Sequence, residues 1–298
     1  MTPFQEFEWL ILGSGFIGTS LHNQLLSSGK RSLLVGRPHL DLTQDGAIGK
    51  LRVLLENAES LIVTSGISRV RSNNEESGHL NVGIAESIAH ALHPGLERVF
   101  FLSSIDVYGT HPILPITEKT QCAPSDAYSR SKLISESIIG SSATQRGIPF
   151  TALRLPGVYG VGDHFRSLIG SMVLSALSAR TVEVVVRPAI QRDLFWSGDL
   201  ADVIDSITRH DDMDVVNVVT GQSNDLLEVA KAVRSALPGT EIVEVTDSFF
   251  DRAPLLVFDN SRLGSVLDPQ RLTPIQSGIS SYVRAIWNRA IAGHRNAS

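Results

Sequence analysis

The run Trp9-Leu10-Ile11-Leu12-Gly13-Ser14-Gly15-Phe16-Ile17-Gly18 starts apolar, breaks on glycines, and continues with Leu21, Leu25 and Leu26 at helical spacing until Ser28-Gly29. It predicts a strand, a tight turn and a helix. In such a turn a first glycine permits the sharp reversal, a second lets backbone approach a pyrophosphate, and a third lets helix and strand close on each other. Those roles fall to Gly13, Gly15 and Gly18. A helix opening at Phe16 aims unpaired amides and its positive dipole end at phosphates, so Gly13 to Gly18, with Ser14, Phe16 and Ile17 among them, form the expected cradle. The strand before and the helix after separate this pattern from an ordinary turn.

Working outward, apolar strand-like runs recur at Ser32 to Val35, Ser60 to Thr64, Arg98 to Ser103 and Phe150 to Leu155, with helical patterns between several of them. That alternation predicts an α/β fold, a Rossmann-type doubly wound parallel sheet. Asn81 to Leu92 reads as a helix closed by His93-Pro94-Gly95, and Gly109 to Ser125, with its prolines, as an irregular crossing. Later, Gly157 to Asp163 reads as a loop, Phe165 to Ala179 as a helix and Thr181 to Arg187 as an alternating strand. Asp199 to Arg209 and Asn224 to Leu237 read as helices around the strand Val215 to Val219, which can return to the first sheet. The expected division is a nucleotide-binding domain over 1–155, with return segments near 190–220, and a smaller, interleaved C-terminal substrate lobe over 156–298. The tail Gly293 to Ser298 is expected to fray.

The 298 residues suffice for a sizeable core and a second lobe. Apolar content of 42% and charged content of 19% are globular values, and a formal charge of −5 argues against a polyanion-binding surface, so no nucleic-acid partner is expected. The one cysteine, Cys122, excludes an intrachain disulfide and a cysteine zinc cage and suits a reducing compartment. No run approaches the ~18 apolar residues of a membrane span, and no basic leader opens the chain. A cytoplasmic protein without membrane contact is the expectation. His90 and His93 share a helical face without an evident third ligand, so no metal is expected. Phe100-Phe101, Phe249-Phe250 and Ile279 to Ile286 read as core or subunit packing.

A second constellation carries chemistry. Tyr128 and Lys132 stand four residues apart, which puts a phenol and an ammonium on one helical face. A neighbouring ammonium favours phenolate and lowers the phenol's value of about 10, so the pair reads as a proton-delivery device. The strand end Ser103-Ser104-Ile105-Asp106-Val107-Tyr108-Gly109 offers a hydroxyl, Ser104, to share a hydrogen bond with a substrate carbonyl. An NAD site places a carboxylate about 20 residues beyond the glycine turn, whereas an NADP site places an arginine there. Here the second strand ends Val35-Gly36-Arg37, so Arg37 favours NADP(H), with NAD(H) as the alternative.

Together these residues resemble the extended short-chain dehydrogenase/reductase family, the NAD(P)-dependent sugar epimerase/dehydratase group. The resemblance spans nearly the whole chain. Its marks are Gly13 to Gly18, Ser104 to Gly109, Tyr128 to Lys132, Arg154-Leu155-Pro156-Gly157-Val158-Tyr159-Gly160, and Gln191-Arg192-Asp193-Leu194-Phe195 followed by Asp199-Leu200-Ala201. The resemblance implies that Tyr128 is the general acid/base, that Lys132 holds the nicotinamide ribose, and that Ser104 hydrogen-bonds the reacting oxygen. It also implies an adenine-contacting pair at Asp41-Leu42 and cofactor contacts at Thr64-Ser65-Gly66, Ser103 and Pro156. Asn81 matches a helix asparagine of the family, Arg192 a contact to the diphosphate of a nucleotide-sugar, and a homodimer through the helices near Asn81 and Tyr128 is implied.

Two departures choose among chemistries. Dehydratases of the family carry adjacent Asp and Glu after the catalytic hydroxyl, because removing water across two carbons needs a separate acid and base. Ile105 and Asp106 stand there, which leaves Asp106 as an auxiliary acid or a local cap. Pro156 replaces a polar residue, often asparagine, after the arginine-bearing strand. The segment Gly36 to Thr43 resembles that of NADPH-dependent 4-keto-sugar reductases more than that of NAD-retaining epimerases. The expected function is therefore NADPH-dependent reduction of a nucleotide-linked 4-keto sugar. A 4-epimerase comes second, a dehydratase third, and a non-catalytic cofactor-binding protein is the alternative from another class.

Overall fold

A computed structural model of the chain describes residues 6–185, 191–245 and 256–295. In order, the first elements are β1 (Phe7–Leu12), α1 (Phe16–Ser27), β2 (Ser32–Val35), α2 (Ala47–Leu55), β3 (Ala58–Val63), α3 (Glu75–Ala91), β4 (Arg98–Ser104), α4 (Ala127–Gln145) and β5 (Phe150–Leu155). There follow β6 (Gly157–Tyr159), α5 (Leu168–Ala179), β7 (Thr181–Val185), β8 (Gln191–Arg192), β9 (Leu194–Trp196), α6 (Leu200–Thr208) and β10 (Val215–Asn217). β11 (Asn224–Asp225), α7 (Leu226–Ala236), β12 (Glu241–Val245), α8 (Ser261–Gly264) and α9 (Ile275–Arg295) complete the described elements.

The chain divides into two compact units. The first comprises 1–112, 118–155 and 200–218, and is built on a six-stranded sheet of order β10-β5-β4-β3-β1-β2. Every pairing in that sheet is parallel. Its strands are continuous apolar runs because both faces are covered. Leu10, Leu12, Leu61, Val63, Val99 and Phe101 alternate onto one face and form a core with Leu51 and Leu55 of α2, Ile88 of α3 and Ile139 of α4.

The second unit comprises 113–117, 156–199 and 219–298. Its core joins Ile169, Met172 and Val173 of α5 to Val229 and Val233 of α7 and Ile279, Tyr282 and Val283 of α9. Two-stranded pairings link β7 with β12, β6 with β9 and β8 with β11. The short segment 113–117 belongs here because Ile116 exchanges backbone hydrogen bonds with Val257 and Asp259 at 2.8 and 3.0 Å.

Several element boundaries differ from those expected. α3 starts at Glu75, because Asn74 and Ser77 form a reciprocal capping box ahead of the first apolar position. Gly157 to Tyr159 is a strand, paired in parallel with Leu194 to Trp196, where a loop was expected. His164 and Phe165 adopt left-handed backbone, so α5 begins only at Leu168, where the Ser167 hydroxyl accepts the Gly170 amide at 2.8 Å. His93 lies beyond the end of α3, its Nδ1 accepting the Gly95 amide at 3.1 Å, so it shares no helical face with His90. α9 extends to Arg295, and the rest of the tail expected to fray, 296–298, lies outside the described residues. Phe249-Phe250 and the last two residues of the expected strand Thr181 to Arg187 lie outside the described residues. Among the described residues, no helix is long and apolar enough to cross a membrane.

Candidate active site

In the six-stranded sheet the strand order reverses at β1 and β3, which makes a topological switch at their C-terminal ends, the place where such sheets bind ligands. The glycine turn sits there. Gly13 has a φ of 119°, and a Cβ built on it would come within 2.5 Å of Thr64 Oγ1. On Gly18 a Cβ would overlap the Gly13 carbonyl oxygen. The Thr64 hydroxyl donates to the Leu12 and Gly13 carbonyls at 2.9 and 2.8 Å, fastening the exit of β3 to the turn. Gly15 differs, because a Cβ there would meet nothing within 4 Å. Behind it α1 opens on Phe16 and Ile17 with no side-chain cap and no acidic residue in its first turn. Open backbone in front of uncapped amides fits a pyrophosphate. The Ser14 carbonyl accepts the Thr19 hydroxyl at 3.4 Å within the same turn.

Beyond β2 the chain passes the exposed Arg37 to His39, the buried Leu40 and the half-buried Asp41. The Thr43 hydroxyl and amide, at 2.7 and 3.1 Å from Asp41 Oδ1, hold that carboxyl below its ordinary value, and Arg37 adds a smaller pull in the same direction. Leu42 is buried, its carbonyl accepting the Ser87 hydroxyl at 3.0 Å.

α4 carries the other half of the site. Asp126 accepts the Ser129 amide at 2.8 Å in a capping box, which starts the helix at Ala127 and puts Tyr128 in its first turn, with Lys132 one turn later on the same face. Ser104, the last residue of β4, hydrogen-bonds the Tyr128 phenol, and its oxygen accepts the Asp106 amide at 3.2 Å. Lys132 Nζ donates to the Leu102 carbonyl at 2.7 Å and lies 5.9 Å from the centre of the Tyr128 ring. Thr64-Ser65-Gly66 lead into Ile67, whose amide and carbonyl are held by Asn81 at 2.6 and 3.1 Å. Asn81 also donates to Ser131 Oγ of α4 at 3.2 Å.

The electrostatics depart from the expected lysine-tuned phenol. Tyr128 lies well above the ordinary tyrosine value, first because the phenol is buried and next because the Asp106 carboxylate is near. The Ser104 hydrogen bond and Arg69 pull the other way without reversing the shift. Burial likewise pushes Lys132 down to about 8, against the opposing charge of Glu136.

Beneath these residues lies a buried polar network. The Ser103 hydroxyl donates to Glu136, so that side chain turns into the protein. Arg154 donates to both Glu136 oxygens, at 3.0 and 2.7 Å, and to the Tyr108 hydroxyl at 2.9 Å. Tyr108 in turn donates to Asn217 Oδ1 at 2.7 Å. The sequence reading missed Glu136, although its place four residues past Lys132 is a helical signal. It also missed Arg69 and Asn73, on a loop that no periodicity reaches.

Pro156 and Arg192 belong to the second unit. Pro156 follows β5 directly, and Arg192 lies on β8 with its guanidinium donating to the Gln191 carbonyl at 2.8 Å. Next to it Asp193 is buried, which pushes its carboxyl up to about 6, although it accepts the Thr220 and Gly221 amides at 3.0 and 2.9 Å.

A family model described as the NAD dependent epimerase/dehydratase family matches residues 9–219, a span that takes in the glycine turn, Ser104, Tyr128 and Lys132. The chain belongs to this family. It is an NAD(P)-dependent enzyme of a group whose members include nucleotide-sugar ketoreductases, epimerases and dehydratases. It is 27% identical to a probable dTDP-4,6-dihydroxy-2-methyloxan-3-one 4-ketoreductase of Streptomyces antibioticus, over 68% of this chain and 67% of the relative. To a dTDP-6-deoxy-L-talose 4-dehydrogenase (NAD(P)(+)) of Kitasatospora kifunensis it is 26% identical, over 78% and 80% of the two chains. The fold is also that of MoeE5, solved in complex with UDP-glucose and NAD, with a TM-score of 0.79 at 22% identity, over 96% of this chain and 99% of that one.

Proposed function

We propose that this epimerase/dehydratase-family enzyme reduces the keto group of a nucleotide-linked 4-keto sugar at the expense of NADPH. The observation that carries the reading is the state of Tyr128. An ordinary phenol is already protonated at neutral pH, and burial and Asp106 push its ionisation higher still, with Ser104 on its oxygen; a protonated phenol suits ketone reduction, where it must give a proton. An epimerase would start by oxidising an alcohol and needs the phenolate first. The single carboxylate after Ser104, with Ile105 in the place of a second, speaks against dehydration.

Gly13 to Gly18 would hold the diphosphate of the dinucleotide, Arg37 its ribose phosphate, Asp41-Leu42 the adenine side, and Ser65-Gly66, the Ser103 backbone, Lys132 and Pro156 the nicotinamide side. A bound NADPH supplies the hydride. Tyr128 gives its proton to the carbonyl oxygen while Ser104 donates a hydrogen bond to the same oxygen, so the carbonyl π bond is replaced by one C–H and one O–H bond. Arg192 would take the diphosphate of the sugar nucleotide. The naming of the Streptomyces relative as a 4-ketoreductase and the sugar nucleotide bound in MoeE5 support this substrate class.

The test is incubation with NADPH and a dTDP-linked 4-keto-6-deoxyhexose. One NADPH consumed per sugar alcohol formed is the expected result. Interconversion of sugar epimers without net loss of NADPH would replace the reading with epimerisation, and binding without either change would make the chain a cofactor-binding protein.

A further inference from the structure

Two cations flank the Tyr128 ring at nearly equal range. Lys132 Nζ lies 5.9 Å from its centre, and the Arg69 guanidinium carbon lies 5.8 Å from it. The first belongs to the helical spacing that marks the site. The second comes from the loop after β3 and is bound to two carboxylates: Arg69 Nη2 is 2.5 Å from Asp126 and 3.4 Å from Asp106. Asp126 caps the helix that bears Tyr128, and Asp106 stands two residues past Ser104. Asn73, from the same loop, donates to Asp126 at 3.1 Å and accepts the Tyr128 amide at 3.0 Å.

We propose that Arg69 is a positioning residue for the proton step: its guanidinium offsets part of the charge of the two carboxylates beside Tyr128 and ties the Asp106 turn, the start of α4 and the phenol ring together. The proposal rests on the reading of Tyr128 as proton donor and names what prepares it. Once the phenol gives up its proton, a negative charge stands beside Asp106 and Asp126. Left to themselves those carboxylates oppose the step, because like charges at this range disfavour ionisation. Among the described residues, the charged groups facing the phenol are Asp106 from the turn after β4, Asp126 at the cap of α4, Lys132 from α4 and Arg69 from the loop after β3. Lys132 is already engaged by the Leu102 carbonyl, which leaves Arg69 as the cation in contact with both acids. An ordinary surface ion pair is the competing account, since the Arg69 side chain is 44% exposed. The two accounts part on the phenol's titration.

The experiment places 3,5-difluorotyrosine, whose phenol ionises in a lower and accessible pH range, at position 128 of the full chain with NADP+ bound, and follows fluorotyrosinate absorbance against pH. Arg69→Gln should raise the midpoint by about one pH unit, and Asp106→Asn should lower it by a similar amount. The double variant should return close to the parent, and Arg69→Lys, which keeps the charge, should stay near it. An unmoved midpoint in Arg69→Gln overturns the proposal. Should that variant misfold by circular dichroism, an unmoved midpoint in Asp106→Asn overturns it equally. Because the readout is ionisation, failure to reduce the keto sugar would sink the reaction while leaving the role of Arg69 standing.

Discussion

Arg154 at the end of β5 grips Glu136 of α4 through both carboxylate oxygens, and the two side chains are only 6% and 8% exposed. The pair lies next to the candidate site, close enough for the Glu136 charge to act on Lys132. Glu136 is one helical turn past Lys132 and also takes the hydroxyl of Ser103, the neighbour of Ser104. The helix bearing Tyr128 is thereby fixed to the neighbouring strands β4 and β5.

Removing one member of that pair should unsettle the whole unit. Glu136→Gln leaves a buried guanidinium short of its counter-charge and should cost about 3–5 kcal/mol in urea denaturation, whereas replacing both partners with apolar residues of similar size should recover most of the loss. An exposed-type loss below about 1 kcal/mol would show the pair to be incidental.

Lys132 should trade stability for function. Its amine titrates at about 8 in the fold and at about 10.4 in an unfolded chain, so between those values the unfolded state binds more protons and stability rises with pH. Lys132→Met should therefore stabilise the protein at pH 7 by roughly 1–3 kcal/mol, with the gain disappearing above about pH 10, while abolishing reduction. Denaturant melts at the two pH values, beside an NADPH oxidation assay, check both halves.

Tyr128→Phe should abolish turnover with NADPH affinity nearly intact, since it deletes one hydroxyl and keeps the ring. Ser104→Ala should lower kcat by about 10²–10³. In the parent, reduction should weaken as pH rises through about 8, where Lys132 loses its charge while the phenol is still protonated. Full activity in the phenylalanine variant removes Tyr128 from the chemistry.

Arg37→Ala should weaken NADPH about tenfold and NADH hardly at all, as read by fluorescence titration, because only the former offers a ribose phosphate to a charge-assisted hydrogen bond. Equal losses for both cofactors would give Arg37 no part in the preference.

Local signals in the sequence were enough for the sheet. Continuous apolar runs marked β1 to β5 to within two residues, and the capping chemistry at Asp126 agrees with the Tyr128 and Lys132 spacing. What escaped had no local signal. The extra turns of α3 are polar and held by a cap, and β6 is a three-residue strand whose partner, β9, lies far along the chain. The direction of the Tyr128 shift depends on burial and on Asp106, neither of which a four-residue spacing encodes. Arg69 entered the site through a loop fold alone.

The polypeptide crosses between its two units five times, at 112–113, 117–118, 155–156, 199–200 and 218–219. No single cut therefore releases either half whole. A fragment stopping at Leu155 would lack β10 and leave β5 as a raw, unpaired border open to other strands. Chimeras that swap specificity between relatives must be assembled as a patchwork, with 113–117 travelling alongside 156–199 and everything from 219 onward.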